Sequence, residues 1–567
     1  ELEQEPPIAR DVDVSYYLRQ ERQGMLLGPY ERTGKTFGAH GVPPEFGADL
    51  LPPDLDRIAD IIEAAMRRMP ALATAGIKKI VNGPITYTPD GNPLLGPAPG
   101  LRNHWLACGF SFGITQAGGC GKVLAEWIVE GAPSLDAREI DPRRYGRYAD
   151  LDYAIARCTD IYENEYAIAY PFGETSVARR VRVSPVYPLL AERGAVFGTS
   201  NGWEVPLWFA KPGEETKDAP GFRGSSWFAG SLREVHLVRE RVGVLDQSSL
   251  AKIEISGPDA ERLLARAVAS PLPREVGDLG RALMLTPKGG ILADATLTRL
   301  APDRYFLTAA APAELRVLDA LQSESGGETV RVENMTEDWG AFVVAGPKAH
   351  DTLTKLATGT LDRFGFPAHS AQEISIADKP VRALEFDRAG EIGWTLAHRM
   401  EDQILLYRAL LEAGAEFGIR DFGHRAMNML RLEHNHPAEL DLGTEMTPLE
   451  AGLEGLVDFE RTGFIGREAL LSQRKAGPRR RLVMLEVDGL DEFCRGGEAV
   501  FVGDRAVGLT TSGGQGSWVI ASLAFATIEA EFVRKYAEVQ VDIFGERRKA
   551  WILPDGILDP GYQRPKS

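Results

Sequence analysis

The sequence predicts a multidomain α+β protein whose last part is a small β-barrel or sandwich, and three observations carry that prediction. The chain has 567 residues, too many for one hydrophobic core, and at roughly 100 to 200 residues per domain it should hold about three to five units. Its first part mixes strand and helix patterns. Past residue 480, RLVMLEVDG, EAVFVGDRAVGLTTSGG and YAEVQVDIFGERRKAWI alternate apolar and polar residues around Gly and Asp turns, the pattern of a small closed or double antiparallel sheet. Hydrophobic residues make up 44% and charged residues 26%, which favours neither general disorder nor a coiled coil.

Taken in order, the apolar runs Tyr16 to Leu18 and Met25 to Leu27 meet through Gln23-Gly24 and predict a hairpin. Leu55, Ile58, Ile62, Ala65 and Met69 recur at helical spacing from Asp54 until Pro70 ends the run. In NGPITYTPDGNPLLGPAPGLRNHWLACGFSFGITQAGGCGKVLAEWI, residues 82 to 128, a short strand runs into Gly109 and Gly113 and then into a helix. The first amides of that helix, near Gly113 to Thr115, have no intrahelical acceptor and attract negative charge; a tight turn with glycines for close packing is the alternative. From about Arg143 to His236 the periodicity weakens, so a connecting segment without its own core is expected. Ser256-Gly-Pro-Asp then predicts a helix start with Ser at the cap. Strands and helices alternate to about Ala469, and no internal repeat is evident.

Charge and motifs narrow the function. A formal charge of −17 repels phosphate backbones, and the basic run Arg474, Lys475, Arg479, Arg480, Arg481 surrounds Gly477-Pro478 and reads as a solvated linker, so no nucleic-acid partner is expected. Cys108, Cys120, Cys158 and Cys494 show no zinc spacing and make no disulfide scaffold, which suits a reducing compartment. His434 and His436 read as a solvent-facing loop rather than a metal pair, so no metal is expected; His236 reads as structural. Ser512-Gly-Gly-Gln-Gly lacks the Lys of a phosphate loop and reads as a hairpin or interdomain turn. No apolar run approaches the roughly 18 residues of a membrane span, and neither a membrane nor a leader is expected.

The segments YYLRQERQGMLLGPYE, TPDGNPLLGPAPGL and AGGCGKVLAEWIVEG, in this order, resemble the dimethylglycine and sarcosine dehydrogenase family. SPVYPLLAERGAVFGTSNGWEVPLWFA resembles its linking domain, VLDQSSLAKIEISGPDAERLL opens what resembles a glycine-cleavage aminomethyltransferase-like folate domain, and FIGREAL with GGEAVFVGDRAVGLTTSGG resembles the closing β module. The resemblance implies four domains: residues 1–145, the C-terminal half of a FAD-dependent, D-amino-acid-oxidase-like oxidoreductase domain; 146–235, a linking domain; 236–480, a folate-binding α+β domain; and 481–567, a β-barrel. No GxGxxG turn opens the chain, so the N-terminal FAD-binding half is expected to be missing, left out or supplied by a separate segment or subunit.

By the same resemblance Thr88, Pro89, Asp90, Gly109, Gly113, Ile114 and Thr115 flank the flavin. Asp294, in GGILADATLT, is the expected catalytic acid beside the reactive nitrogens of tetrahydrofolate, orienting the amine and stabilising a cationic iminium. Glu391, in DRAGEIGW, is expected against the pterin, and Arg425, in HRAMNMLRLE, completes the site. Arg281 and Arg388 stand where the family carries pocket aromatics, and HNHPAEL replaces a usual Gly-aromatic-Arg-x-Trp-Gly stretch, which makes tetrahydrofolate the less secure of the two cofactors. The implied activity is FAD-dependent oxidative demethylation of an N-methylated amino acid such as dimethylglycine or sarcosine, with the one-carbon unit passed to tetrahydrofolate. A flavin-independent folate-dependent transferase and a non-catalytic accessory subunit are the alternatives. A cytoplasmic, oligomeric protein is expected, with the mitochondrial matrix as the other location.

Overall fold

The computed structural model describes residues 6–47, 49–216, 221–222, 227–358, 369–385, 390–517 and 521–553. At the N-terminal end, strands Ala9–Asp11, Tyr16–Glu21 and Gly24–Pro29 form an antiparallel meander. Helix Ala59–Arg68 lays Ile61, Ala64 and Ala65 against Tyr16 and Leu18. The expected hairpin is present, and the expected helix begins later than Asp54, after a 3-10 turn at Asp56–Ile58. The short hairpin Leu94–Pro97 and Trp105–Cys108 then leads into helix Gly113–Glu130, which buries none of its residues among the described ones.

Residues 143 to 236 are more ordered than a connector. Helices Leu151–Glu163 and Tyr187–Glu192 and the hairpin Ala195–Ser200 with Trp203–Phe209 occupy the stretch. Val196, Trp208, Ala210 and Trp227 make a small core of their own, so the expectation of a coreless segment fails because the dispersed tryptophans supply apolar area without periodicity.

Two antiparallel sheets follow. One has five strands in the order Leu279–Leu285, Ile291–Ala301, Arg304–Ala309, Ala251–Ser256, Arg331–Asn334. The other has seven, ordered Ala357–Thr358, Ala371–Ile376, Lys379–Glu385, Gly393–Arg399, Trp339–Ala345, Gly243–Asp246, Arg420–Asp421, the last pair being parallel. Alternation sets their faces. Ala293, Ala295 and Leu297 enter the helix-covered core of the first sheet, which leaves Asp294, Thr296 and Thr298 on the opposite face. There the sheets meet through Phe306, Trp339, Ala371, Leu384 and Ala397.

Both sheets use one turn twice. Strand Ala251–Ser256 ends in Gly257-Pro-Asp-Ala and strand Trp339–Ala345 in Gly346-Pro-Lys-Ala, each followed by a helix of eight residues. Gly257 and Gly346 share φ +125, where a Cβ would strike the carbonyls of Thr329 and of Arg241 and Val238. The helix caps are Asp259 and Lys348, with φ −100 and −103. This corrects two readings: Ser256 closes a strand instead of capping the helix, and a short internal repeat exists, hidden because only Gly, Pro and Ala are shared within the turn.

Strands Arg480–Val487, Ser522–Glu529, Arg505–Gln515, Ala499–Val502, Glu538–Ile543 and Glu546–Leu553 close a six-stranded barrel around Leu485, Val500, Ala524, Val541 and Ile552. The Ser512 run is part of the third of these strands, not a turn, and Ser512 Oγ accepts from Arg431 Nη2 at 2.8 Å and donates to Asp441 at 2.6 Å. Among the described residues no helix is long and apolar enough to cross a membrane.

Candidate active site

Of the residues expected to flank a flavin, Thr88, Pro89 and Asp90 share one turn, and Gly109 packs against it. Thr88 Oγ1 donates to the Asn92 carbonyl at 2.6 Å, and Asp90 Oδ1 accepts from the Asn92 amide at 3.0 Å. Arg144 grips Asp90 through Nε and Nη2 at 2.7 and 2.9 Å. Burial opposes ionisation of Asp90, but the hydrogen bond and charge of Arg144 prevail and hold its carboxyl below the usual range. Pro89 is half-buried in the same turn. Gly109 sits against it at φ +74, where a Cβ would lie 2.5 Å from the Thr88 methyl carbon. Helix Gly113–Glu130 starts after Phe112, which offers no side-chain cap; Thr115 Oγ1 bonds back to the Phe112 carbonyl at 2.9 Å, and Ile114 is 96% exposed. The first-turn amides therefore open on an exposed ridge beside Thr88 and Gly109.

Of the residues expected at a folate, Asp294 and Glu391 are tied to arginines. Arg281 donates through Nε and Nη2 to the two oxygens of Asp294 at 2.7 and 2.8 Å, and Asp294 is buried. Glu391 accepts from Arg239 Nη1 at 2.7 Å; Arg239 Nη2 reaches Glu433 at 2.7 Å, and Glu433 accepts from the Ser517 amide at 2.7 Å. His434 Nε2 lies 2.7 Å from Arg239. His434 is thus buried in an ion cluster, contrary to the solvent-facing reading, because its loop folds back over Gly390. His436 is half-buried, and its carbonyl accepts from Arg431 Nη1 at 3.1 Å. Arg425 stacks on Trp227 at 4.3 Å and Phe172 at 5.0 Å. Arg388 lies outside the described residues. His236 faces solvent, 3.9 Å from Glu240.

Sequence reading missed Arg239, Glu433 and Lys252. Lys252 is fully buried on the strand face shared with Glu254 and donates to the carbonyls of Ser248, Leu250 and Thr336 at 2.8, 2.6 and 3.4 Å. Burial pushes its ammonium down to about 7, against the pull of Glu314 and Asp246. The signal available was alternation: Ala251, Ile253 and Ile255 define the helix-facing side, so the lysine between them must point between the sheets. Burial likewise lowers His398 and His424 to about 4, which keeps both neutral near pH 7.

Four family models define the class, a FAD-dependent oxidoreductase unit joined to an aminomethyltransferase-like unit. Family models match in that order: FAD dependent oxidoreductase over residues 1–127, FAD dependent oxidoreductase central domain over 130–184, GCVT N-terminal domain over 186–461, and Glycine cleavage T-protein C-terminal barrel domain over 480–559. The mitochondrial dimethylglycine dehydrogenase of Mus musculus is 40% identical over 98% of this chain and 65% of its own length. An aminomethyltransferase of Anoxybacillus flavithermus is 31% identical over 68% of this chain and 99% of its own. The crystal structure of aminomethyltransferase T from Bartonella henselae matches 66% of this chain and 96% of its own with TM-score 0.56 at 24% identity, a likeness of fold. The chain belongs to the dimethylglycine and sarcosine dehydrogenase family. It spans 65% of the length of the mouse relative. The expectation of a missing FAD-binding half is not supported, since the oxidoreductase model matches from residue 1.

Proposed function

We propose that this chain serves the FAD-dependent oxidative demethylation of an N-methylated amino acid, dimethylglycine or sarcosine, with tetrahydrofolate receiving the one-carbon unit. The observation carrying this reading is the 40% identity to a dimethylglycine dehydrogenase across 98% of the chain. When bound, FAD supplies hydride acceptance and tetrahydrofolate takes up the carbon. The uncapped amides of Gly113, Ile114 and Thr115 favour negative charge on a flavin ring, and the Thr88-Pro89-Asp90 turn, braced by Arg144, fixes the wall beside it. Arg281 orients the Asp294 carboxylate, whose charge would stabilise the cationic amine of a folate. Glu391, positioned by Arg239, faces the pterin, with Arg425 completing the site. Functional units at 1–145, 146–235, 236–480 and 481–567 and an oligomeric assembly belong to the same proposal. A cytoplasmic location draws no support from the comparisons, the mouse relative being mitochondrial by name, and the matrix is the better reading.

The test is the visible spectrum of the flavin-loaded protein under anaerobic titration with dimethylglycine and sarcosine. Bleaching of the flavin band supports the proposal, and a band unchanged by both refutes it. Formaldehyde released in place of a folate adduct by Asp294→Asn, with bleaching retained, would assign the second half. A flavin-independent transferase is the second reading, favoured by the match over 99% of an aminomethyltransferase; aminomethyl transfer to folate by flavin-free protein decides it.

A further inference from the structure

Thr298 lies four residues beyond Asp294 on the same strand face, about 13 Å away along an extended chain, and there the seam between the two sheets opens into a cavity of about 200 Å³ lined by Thr298, Leu300, Ala371, Glu373 and Arg382. Arg382 is buried, with its guanidinium 4.0 Å from the Trp339 ring and 4.8 Å from that of Phe306. Its Nη2 donates to Glu254 at 3.2 Å, and its Nε is 3.7 Å from Glu373. Its Nη1 has no partner among the described residues, and neither does the hydroxyl of Thr298, a residue only 1% exposed. Buried donors are rarely left unsatisfied, and those that are call for a missing acceptor.

Charge decides which acceptor. Arg382 has two carboxylates beside it, Glu254 and the rim residue Glu373, and Arg299 also lines the cavity, so groups of both signs face it. A molecule carrying both signs can match them. We propose that this cavity binds a small amino acid as its zwitterion, with the carboxylate on Arg382 Nη1 and Thr298 Oγ1 and the ammonium on Glu373. The volume admits glycine or alanine. The site is separate from the Asp294 pocket and does not depend on the reaction proposed above.

The experiment is isothermal titration of the intact chain with glycine, with acetate and methylamine as half-molecule probes. Saturable glycine binding is expected, weakened about tenfold or more in Thr298→Val and in Glu373→Gln and abolished in Arg382→Met, with both half-molecules at least about tenfold weaker than glycine. The proposal is overturned if glycine does not bind up to about 50 mM, if Thr298→Val binds as the parent does, or if acetate matches glycine. Thr298→Val keeps shape and charge, so the test stands even where Arg382→Met fails to fold.

Discussion

Replacing Arg239 by methionine should be among the most damaging single changes in the chain. The guanidinium side chain is 1% exposed and joins Glu391, 8% exposed, to Glu433, 0% exposed. Methionine fills the stem but removes the guanidinium that both carboxylates bind. Removing one partner of a buried pair typically costs about 3–5 kcal/mol, and His434, which also contacts Arg239, supplies no fixed charge in its place. For a unit of this size the loss corresponds to a melting shift of roughly 6 to 20 °C. Thermal unfolding followed by tryptophan fluorescence measures it, and Glu433→Gln placed on the Arg239→Met background should recover part of the loss by removing one stranded charge. A shift within that of an exposed pair, about 1 kcal/mol or less, or no recovery in the double variant, would refute the reasoning.

Other outcomes are expected. Gly109→Ala places a side chain at φ +74 against the Thr88 methyl, costing about 1–2 kcal/mol in backbone strain before the clash is counted; a lower melting point and weaker flavin retention, read by absorbance, should appear together. Lys252, at about 7 in the fold against about 10.4 unfolded, binds fewer protons folded than unfolded between those values. Stability should therefore rise with pH from about 7 toward 10 and be flat below for this group, and urea midpoints at several pH values should lose that rise in Lys252→Met. Arg143 binds Asp141 and Asp319 at 2.8 Å each, joining the oxidoreductase side to the helix Glu314–Glu324. Arg143→Leu should speed limited proteolysis near residues 131 to 150 several-fold.

Much of this architecture was legible where local chemistry fixes it. The Gln23-Gly24 turn, the Gly113 helix start and the alternating C-terminal strands each follow from φ preferences or periodicity, and long motif matches identified the aminomethyltransferase-like part. The site was legible at Asp294 and Glu391 as residue types, not as partners. Arg281 was seen as a departure from an aromatic, yet its bond to Asp294 is a cross-strand relation that depends on the register of Leu283 opposite Asp294, which no single-strand pattern reveals. Arg239 and Glu433 are far apart in sequence and meet only once two helices pack. His434 misled because an HxH beside Asn and Pro looks like a loop whether or not the loop is covered.

The twin corners at Gly257 and Gly346 give the chain an internal comparison that most proteins lack. Five residues before each glycine stand Lys252 and Ala341, equivalent places in the two halves, both buried and both in contact with Ser248, whose carbonyl takes the ammonium while its hydroxyl takes the Ala341 amide. Two ammonium groups could not share that spot. The two corners are thus unlike at one point, where one carries a methyl group and the other a cation.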